Sequence, residues 1–194
     1  MHGRKRLLRN DILQKLKVLP PELRKEKSRE ITERVIPLPE WKEAHVVLAF
    51  LPMPEEVDTT GLIREALESG KTVGIPRMGA GNAMEFHAIP SLEGPWENHP
   101  YGVREPASHL PVIDPSVAGG KTLVLTPGLA FDRRCNRLGR GKGFYDVYLT
   151  RFSGYLMPIG LAFALQIVDE VPLDPNDVPL RGIVTEKEIL RAGY

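Results

Sequence analysis

The chain has 194 residues, 42% of them hydrophobic and 26% charged, with a net charge of +1. It is long enough to bury a core as a single domain over 1–194, and its near-neutral balance excludes a protein held to nucleic acid by overall charge, so an anion site must be built locally. One cysteine, Cys135, excludes an internal disulfide, and no apolar run approaches the roughly 18 residues that span a bilayer, so neither nucleic acid nor a membrane is an expected partner.

The first stretch, MHGRKRLLRNDILQKLK, lacks the apolar core of a secretory signal. It is basic, like an organelle presequence, but it has no serine and carries Asp11, and Leu8, Ile12 and Leu16 keep helical spacing. Residues 4–18 therefore read as an amphipathic helix of the mature fold, and the protein is expected in the cytoplasm. Pro20-Pro21 interrupts that helix, and Pro21 suits the first turn of a second one running to about Val35. The mixed charges on the second helix read as a solvated, ion-paired face.

The run HVVLAFL at 45–51 is short, continuous and branched, the pattern of a strand buried on both faces. TTGLIREALES at 59–69 reads as a helix that Gly70 can end. TVGIP at 72–76 is the next strand, and MEFHAI at 84–89 alternates like a half-exposed one. Residues 90–121, rich in Pro, Gly and Ser, read as loop. TLVLTP at 122–127 is another buried strand, 143–152 a helix, and PIGLAFA at 158–164 and GIVT at 182–185 the last strands. Alternation of strands and helices predicts a three-layer α/β domain with a mainly parallel, Rossmann-like sheet and an N-terminal helical segment. Ligands bind such sheets beyond the carboxyl ends of the strands, where Leu51–Glu56, Pro127–Gly143 and Ala164–Val168 leave them.

The most informative of these segments is PGLAFDRRCNRLGRGKGFYD, residues 127–146. Gly139, Gly141 and Gly143 alternate with Arg140 and Lys142 and run into a helix. Such glycines let successive backbone N–H groups converge on an anion, and the helix start adds donors and partial positive charge. Residues 133–142 carry Arg133, Arg134, Arg137, Arg140 and Lys142 with no acid among them. A polyphosphate would satisfy these features together; a flexible basic surface loop is the blander alternative. The spacing is neither a Walker A loop nor a dinucleotide fingerprint. Asp146, in the first turn of the helix, is either a dipole complement or a magnesium ligand beside the phosphates. The histidines at 2, 45, 87, 99 and 109 show no ligand spacing.

The segment resembles the signature of the 5-formyltetrahydrofolate cyclo-ligase family, P-G-x-x-F-D followed by N/G-R-L-G-x-G-x-G-[YF]-Y-D and a helix. The likeness extends, in order, to Lys5, Leu8 and Arg9, to LPMPEEVDT at 51–59, IPRM at 75–78, MEF at 84–86, YGVREP at 101–106 and residues 160–186. Two positions depart. Cys135 stands where a glycine is usual, which leaves its local turn open, and Arg181 stands where an acid is common.

The resemblance implies an enzyme that uses ATP and Mg²⁺ to convert 5-formyltetrahydrofolate to 5,10-methenyltetrahydrofolate, a monomer acting on small molecules. It implies that Lys5, Arg9 and the loop Arg137, Leu138, Gly139, Arg140, Gly141, Lys142, Gly143, Phe144 and Tyr145 bind ATP. Leu51, Glu56 and Arg140–Phe144 would face the folate, and Asp146 and Asp177 would hold Mg²⁺. Lys142 and Arg140 would neutralise charge on the transferring phosphoryl group. On the residues alone, Lys5 and Arg9 equally suit a solvated basic face, Glu56 an exposed loop acid and Asp177 an ordinary turn. A non-catalytic module sensing a nucleotide or sugar phosphate is the rival function.

Overall fold

The computed structural model describes residues 2–98 and 104–193. In the expected YGVREP element, 101–103 lie outside the described residues, as do His99 and the His2 side chain.

Helix α1 (His2–Lys17) docks on the core, as its apolar spacing requires: Ile12 and Leu16 are buried, with Leu8 packed at the edge. Each such buried side chain contributes about 1.5–3 kcal/mol, enough to hold a short helix down. Helix α2 (Pro21–Val35) starts with Pro21 in its first turn and buries Ser28, Ile31 and Val35. Its cations correct the sequence expectation of a merely solvated face. Arg24 donates to the carbonyls of Pro54, Leu16 and Leu19, Lys27 pairs with Glu186 at 2.6 Å, and Arg34 donates to the Glu186 carbonyl. These bonds tie α2 to α1, to a loop and to the far end of the chain.

After a short helix α3 (Pro39–Glu43) come β1 (Ala44–Leu48), α4 (Thr60–Glu68), β2 (Thr72–Met78) and β3 (Met84–Ala88). Gly70 ends α4 at φ +77°. Strand β3 is more buried than its alternation suggests. Met84, Phe86 and His87 are all enclosed, and His87 Nδ1 lies 2.9 Å from the Leu110 carbonyl, a structural role. Among its described residues the segment read as loop carries only short strands, β4 (Trp96–Asn98), β5 (Arg104–Pro106) and β6 (Val112–Ile113). Then follow β7 (Lys121–Thr126), β8 (Ala130–Asp132), β9 (Arg137–Leu138), α5 (Phe144–Arg151), β10 (Leu156–Leu161), β11 (Ile167–Val168), β12 (Gly182–Val184) and β13 (Ile189–Arg191).

The main sheet runs β13-β12-β10-β7-β1-β2-β3-β6. Its five central strands are parallel, and the edges are antiparallel additions. Numbered among themselves, the parallel strands are ordered 2-1-3-4-5, a doubly wound arrangement whose direction reverses between β1 and β7. Val47, Val73, Leu123 and Leu125 face one apolar cluster with residues of α1, α2 and α4. Val46, Leu48, Val124 and Phe86 face the other, with Tyr145, Tyr148 and Leu149 of α5. This is the expected three-layer α/β fold with a mainly parallel sheet.

Candidate active site

In doubly wound sheets a crevice opens where the strand order reverses, because the connections leaving the two neighbouring strands turn to opposite faces. Here that crevice lies beyond the carboxyl ends of β1 and β7. The loop after β1 is pinned in place: Asp58 N donates to Ser28 Oγ at 3.0 Å, and Glu56 Oε2 accepts from Met53 N at 3.0 Å. The loop after β7 folds back as the small hairpin β8–β9 and then releases the glycine run. The two meet where Arg140 Nε lies 3.2 Å from Glu56 Oε1, with Glu55 at 3.7 Å from the same guanidinium. Leu51 is half-buried and packs on the core at the root of the first loop.

A buried carboxylate that the sequence reading gave no role organises the second loop. Asp132 is fully buried and accepts from Arg134 N at 2.9 Å, Asn136 N at 3.1 Å, Asn136 Nδ2 at 3.0 Å and Val171 N at 3.1 Å. The F-D pair of the signature was the signal for it. Cys135 lies inside this turn at φ +63°, the one non-glycine with positive φ among the described residues. A side chain there costs about 1–2 kcal/mol, which explains why glycine is usual at the position. The thiol is enclosed; burial, with Asp132 adding to it, pushes its pKa up to about 11. Arg181, the other departure, is exposed and precedes β12 at the amino-terminal edge of the sheet, away from the crevice.

The glycine run behaves as two positions rather than three. Gly141 and Gly143 take φ +104° and +73°, conformations a side chain would resist, whereas Gly139 does not take a positive φ. Gly143 directly precedes α5. Arg9 Nε donates to the Gly139 carbonyl at 2.9 Å, so α1 braces the loop from outside.

The five cations of this stretch do not form one open patch, which corrects the expectation from sequence. Arg133 pairs with Glu188 at 2.8 Å and Arg134 with Glu170 at 3.7 Å, both at the surface. Arg137 is buried and pairs with Asp146 at 2.8 Å. Arg140 is held by Glu56. Lys142 alone of the five is exposed without an ion pair or hydrogen bond among the described residues. Leu138 is buried among core side chains, so only its backbone faces the loop.

The acids read as metal ligands are likewise paired. Lys5, itself buried, reaches Asp177 at 2.5 Å and Asp174 at 2.7 Å. Burial alone would lower the Lys5 pKa, but the hydrogen bonds that Lys5 donates to Asp174 and Asp177 outweigh it, and the net shift is upward. Val178 N, next to Asp177, donates to Asp146 Oδ1 over 3.4 Å. Asp146 and Asp177 are therefore brought to one place. Among the described residues no three His, Cys, Asp or Glu side chains gather as a metal cage. The donor set fits a magnesium ion held by two carboxylates and completed by phosphate oxygens and water, the usual arrangement for that ion. Two buried donors beside the loop also lack partners among the described residues, the Tyr145 hydroxyl and Arg137 Nε. Burial, then the nearby Glu56 charge, pushes the Tyr145 phenol pKa up, so it stays protonated as a donor.

Fold and site together define a doubly wound α/β protein with a braced, glycine-rich cationic loop at its strand-order reversal. The profile of the 5-formyltetrahydrofolate cyclo-ligase family matches residues 1–186, and the chain belongs to that family. It is 34% identical to a mouse 5-formyltetrahydrofolate cyclo-ligase over 96% of this chain and 95% of the mouse one. With the Escherichia coli K12 5-formyltetrahydrofolate cyclo-ligase it shares 32% identity, over 92% and 98% of the two chains. The solution structure of Aquifex aeolicus 5,10-methenyltetrahydrofolate synthetase superposes with a TM-score of 0.82 at 31% identity, covering 98% of this chain and 93% of that one.

Proposed function

We propose that this chain, a single monomeric domain of the cytoplasm, converts 5-formyltetrahydrofolate to 5,10-methenyltetrahydrofolate at the expense of ATP, with ADP and phosphate released. The observation that carries the reading is the meeting of Glu56 and Arg140 at the switch point, with Lys142 unpaired on the same loop. A carboxylate that could accept from ring N–H groups, beside cations suited to phosphate, supports this reading.

The formyl group on N5 is amide-like and a poor electrophile. Its oxygen attacks the γ-phosphorus and displaces ADP, giving an imino-phosphate. N10 then adds to the formyl carbon and loses its proton, the C–O bond breaks, and phosphate departs with that electron pair. No protein nucleophile is required. The chain's work is positioning and charge neutralisation, by Lys142, Arg140 and the amides of Gly139–Gly143. Lys5, Arg9 and Arg137 support the nucleotide from α1 and β9. Mg²⁺, held by Asp146 and Asp177, would supply neutralising charge on the phosphates.

An absorbance assay for the methenyl product, run beside a phosphate-release assay, tests this. Product and phosphate should appear together and only with ATP. Nucleotide binding with neither product nor phosphate would select the rival reading of a non-catalytic sensor.

A further inference from the structure

A cavity of about 290 Å³ lies at the opposite edge of the sheet from the crevice. It opens where β7 and β10 begin side by side, Thr122 opposite Leu156, and where Arg181 leads into β12. Glu40 and Glu43 of α3, Lys121, Tyr155, Met157 and Arg181 stand around it. The length of β7, from Lys121 to Thr126, separates it from the crevice, about 17 Å at the rise of a parallel strand. A small ligand bound here leaves the glycine loop untouched.

The charges around the cavity do not cancel. Lys121 pairs with Glu43 at 2.5 Å, and Arg191 grips Glu40 through both terminal nitrogens, Nη1 to Oε1 and Nη2 to Oε2. Burial alone would raise the Glu40 pKa, but the bonds from Arg191 outweigh it, the nearby charge of Arg181 adds to them, and the net shift is downward. Arg181 itself is exposed, and its guanidinium has neither ion pair nor hydrogen bond among the described residues. One positive charge is thus left over. The planar fork of a guanidinium matches a carboxylate in two parallel bonds. The two acids of the same wall would repel the second charge of a phosphate dianion. Part of the lining is apolar. Met157 is buried, and the Tyr155 side chain, 53% exposed, offers a flat ring face. Thr122, in the same wall, is fully buried, and its hydroxyl has no partner among the described residues. The volume falls just under the range of about 300–1,000 Å³ that encloses a drug-sized ligand, so the occupant is small.

We propose that this cavity binds a small molecule carrying one carboxylate and a flat apolar body of about the size of benzoate. Arg181 clasps the carboxylate, and Tyr155 covers the body. The site stands apart from the folate and nucleotide reading, since none of its residues belongs to the crevice.

Proton–nitrogen correlation spectra of the full chain, titrated with benzoate and separately with inorganic phosphate, test it. Benzoate should shift the amide signals of Thr122, Tyr155 and Arg181 along saturable curves, and phosphate should leave these three in place. Arg181→Gln should weaken benzoate about tenfold or more, the worth of a charge-assisted pair. Its melting temperature should not fall, because the guanidinium holds nothing in the fold. Tyr155→Ser should weaken benzoate about fivefold by loss of apolar contact. Lys142→Ala, in the crevice, should leave benzoate binding unchanged. Should Arg181→Gln fail to fold, the two titrations of the unaltered chain still decide the matter. Benzoate that shifts none of the three signals overturns the proposal, and so does phosphate that shifts them with equal affinity. A benzoate response that survives Arg181→Gln but is lost in Lys142→Ala also overturns it, by moving the anion to the glycine loop.

Discussion

Arg140 Nε lies 3.2 Å from Glu56 Oε1, joining the loop after β7 to the loop after β1 across the point where the strand order reverses. The two residues are 84 positions apart in sequence. Neither is fully enclosed: the arginine side chain is 34% exposed and the glutamate 13%. At that exposure the pair contributes little to stability and can exchange for ligand contacts. Similar pairs recur around the crevice, Arg137 with Asp146 and Lys5 with Asp177. Much of the site's charge is thus neutralised from within; among the described residues Lys142 has no partner, and Arg9 bonds a carbonyl rather than an acid.

Glu56→Gln should weaken 5-formyltetrahydrofolate far more than ATP. A glutamine keeps the shape but loses the ionic acceptor for the pterin N–H groups, a loss of about 1.5–3 kcal/mol. It also releases Arg140, which lies on the phosphate side and has Glu55 within 3.7 Å as a second partner. Separate calorimetric titrations with each ligand check this. Equal losses for both would mean that Glu56 holds the loops together rather than the folate.

Lys142→Ala should lower kcat about a hundred- to a thousandfold, the usual effect of removing one stabiliser of transition-state charge. Lys142 is exposed and unpaired among the described residues, so the melting temperature should not move. The diagnostic pattern is a kcat loss with an unchanged thermal scan. Retention of wild-type kcat would take the loop's one uncommitted cation out of the chemistry.

The parallel strands were legible in the sequence because burial on both faces demands continuous apolar runs, as in HVVLAFL and TLVLTP. The crevice was legible for a related reason: strand ends, glycines and charge all point to one place. The electrostatic pairing was not. Lys5 meets Asp174 across 169 positions and Lys27 meets Glu186 across 159, and no local pattern announces such partners. The same blindness made the stretch from Arg133 to Lys142 look like one free patch, since three of its acids, Glu188, Glu170 and Glu56, come from elsewhere in the chain. The β8–β9 hairpin escaped because strands of two or three residues carry no periodicity. Only the resemblance singled out position 135, where the backbone is left-handed.

Lys5 should make the docking of α1 sensitive to alkali. Its folded pKa is raised above 10.5, because the bonds to Asp174 and Asp177 outweigh burial. A raised pKa means that the charged pair's contribution is complete below pH 10.5 and is lost as the pH climbs through the folded value. Lys5→Met lacks that contribution at every pH. Its melting temperature should therefore lie below the wild type near neutrality, and the two curves should converge in strong alkali. Parallel curves would show that the ammonium group is not what fixes the helix.

Asp146→Asn separates the metal role from a structural one. From sequence Asp146 is either a dipole complement or a magnesium ligand, and neither reading gives it a buried partner. The structure places it against Arg137, whose side chain is 4% exposed and has a second nitrogen, Nε, already without a partner. Taking away the carboxylate strands a buried guanidinium. Breaking such a pair costs about 3–5 kcal/mol, and the lower end applies here because Asp146 retains some contact with solvent. For a chain of this length that corresponds to a melting temperature about 6–12 °C lower. Excess Mg²⁺ should restore part of the turnover, by mass action on a weakened metal site, but none of the stability of the ligand-free protein. Arg137→Met with Asp146→Asn removes both charges and should recover much of the lost stability while turnover stays low. Thermal scans of the three variants without ligand, beside steady-state rates across a Mg²⁺ series, read the two effects independently. A single variant as stable as wild type would mean that Arg137 finds another partner. A double variant with restored turnover would remove both residues from the catalytic machinery.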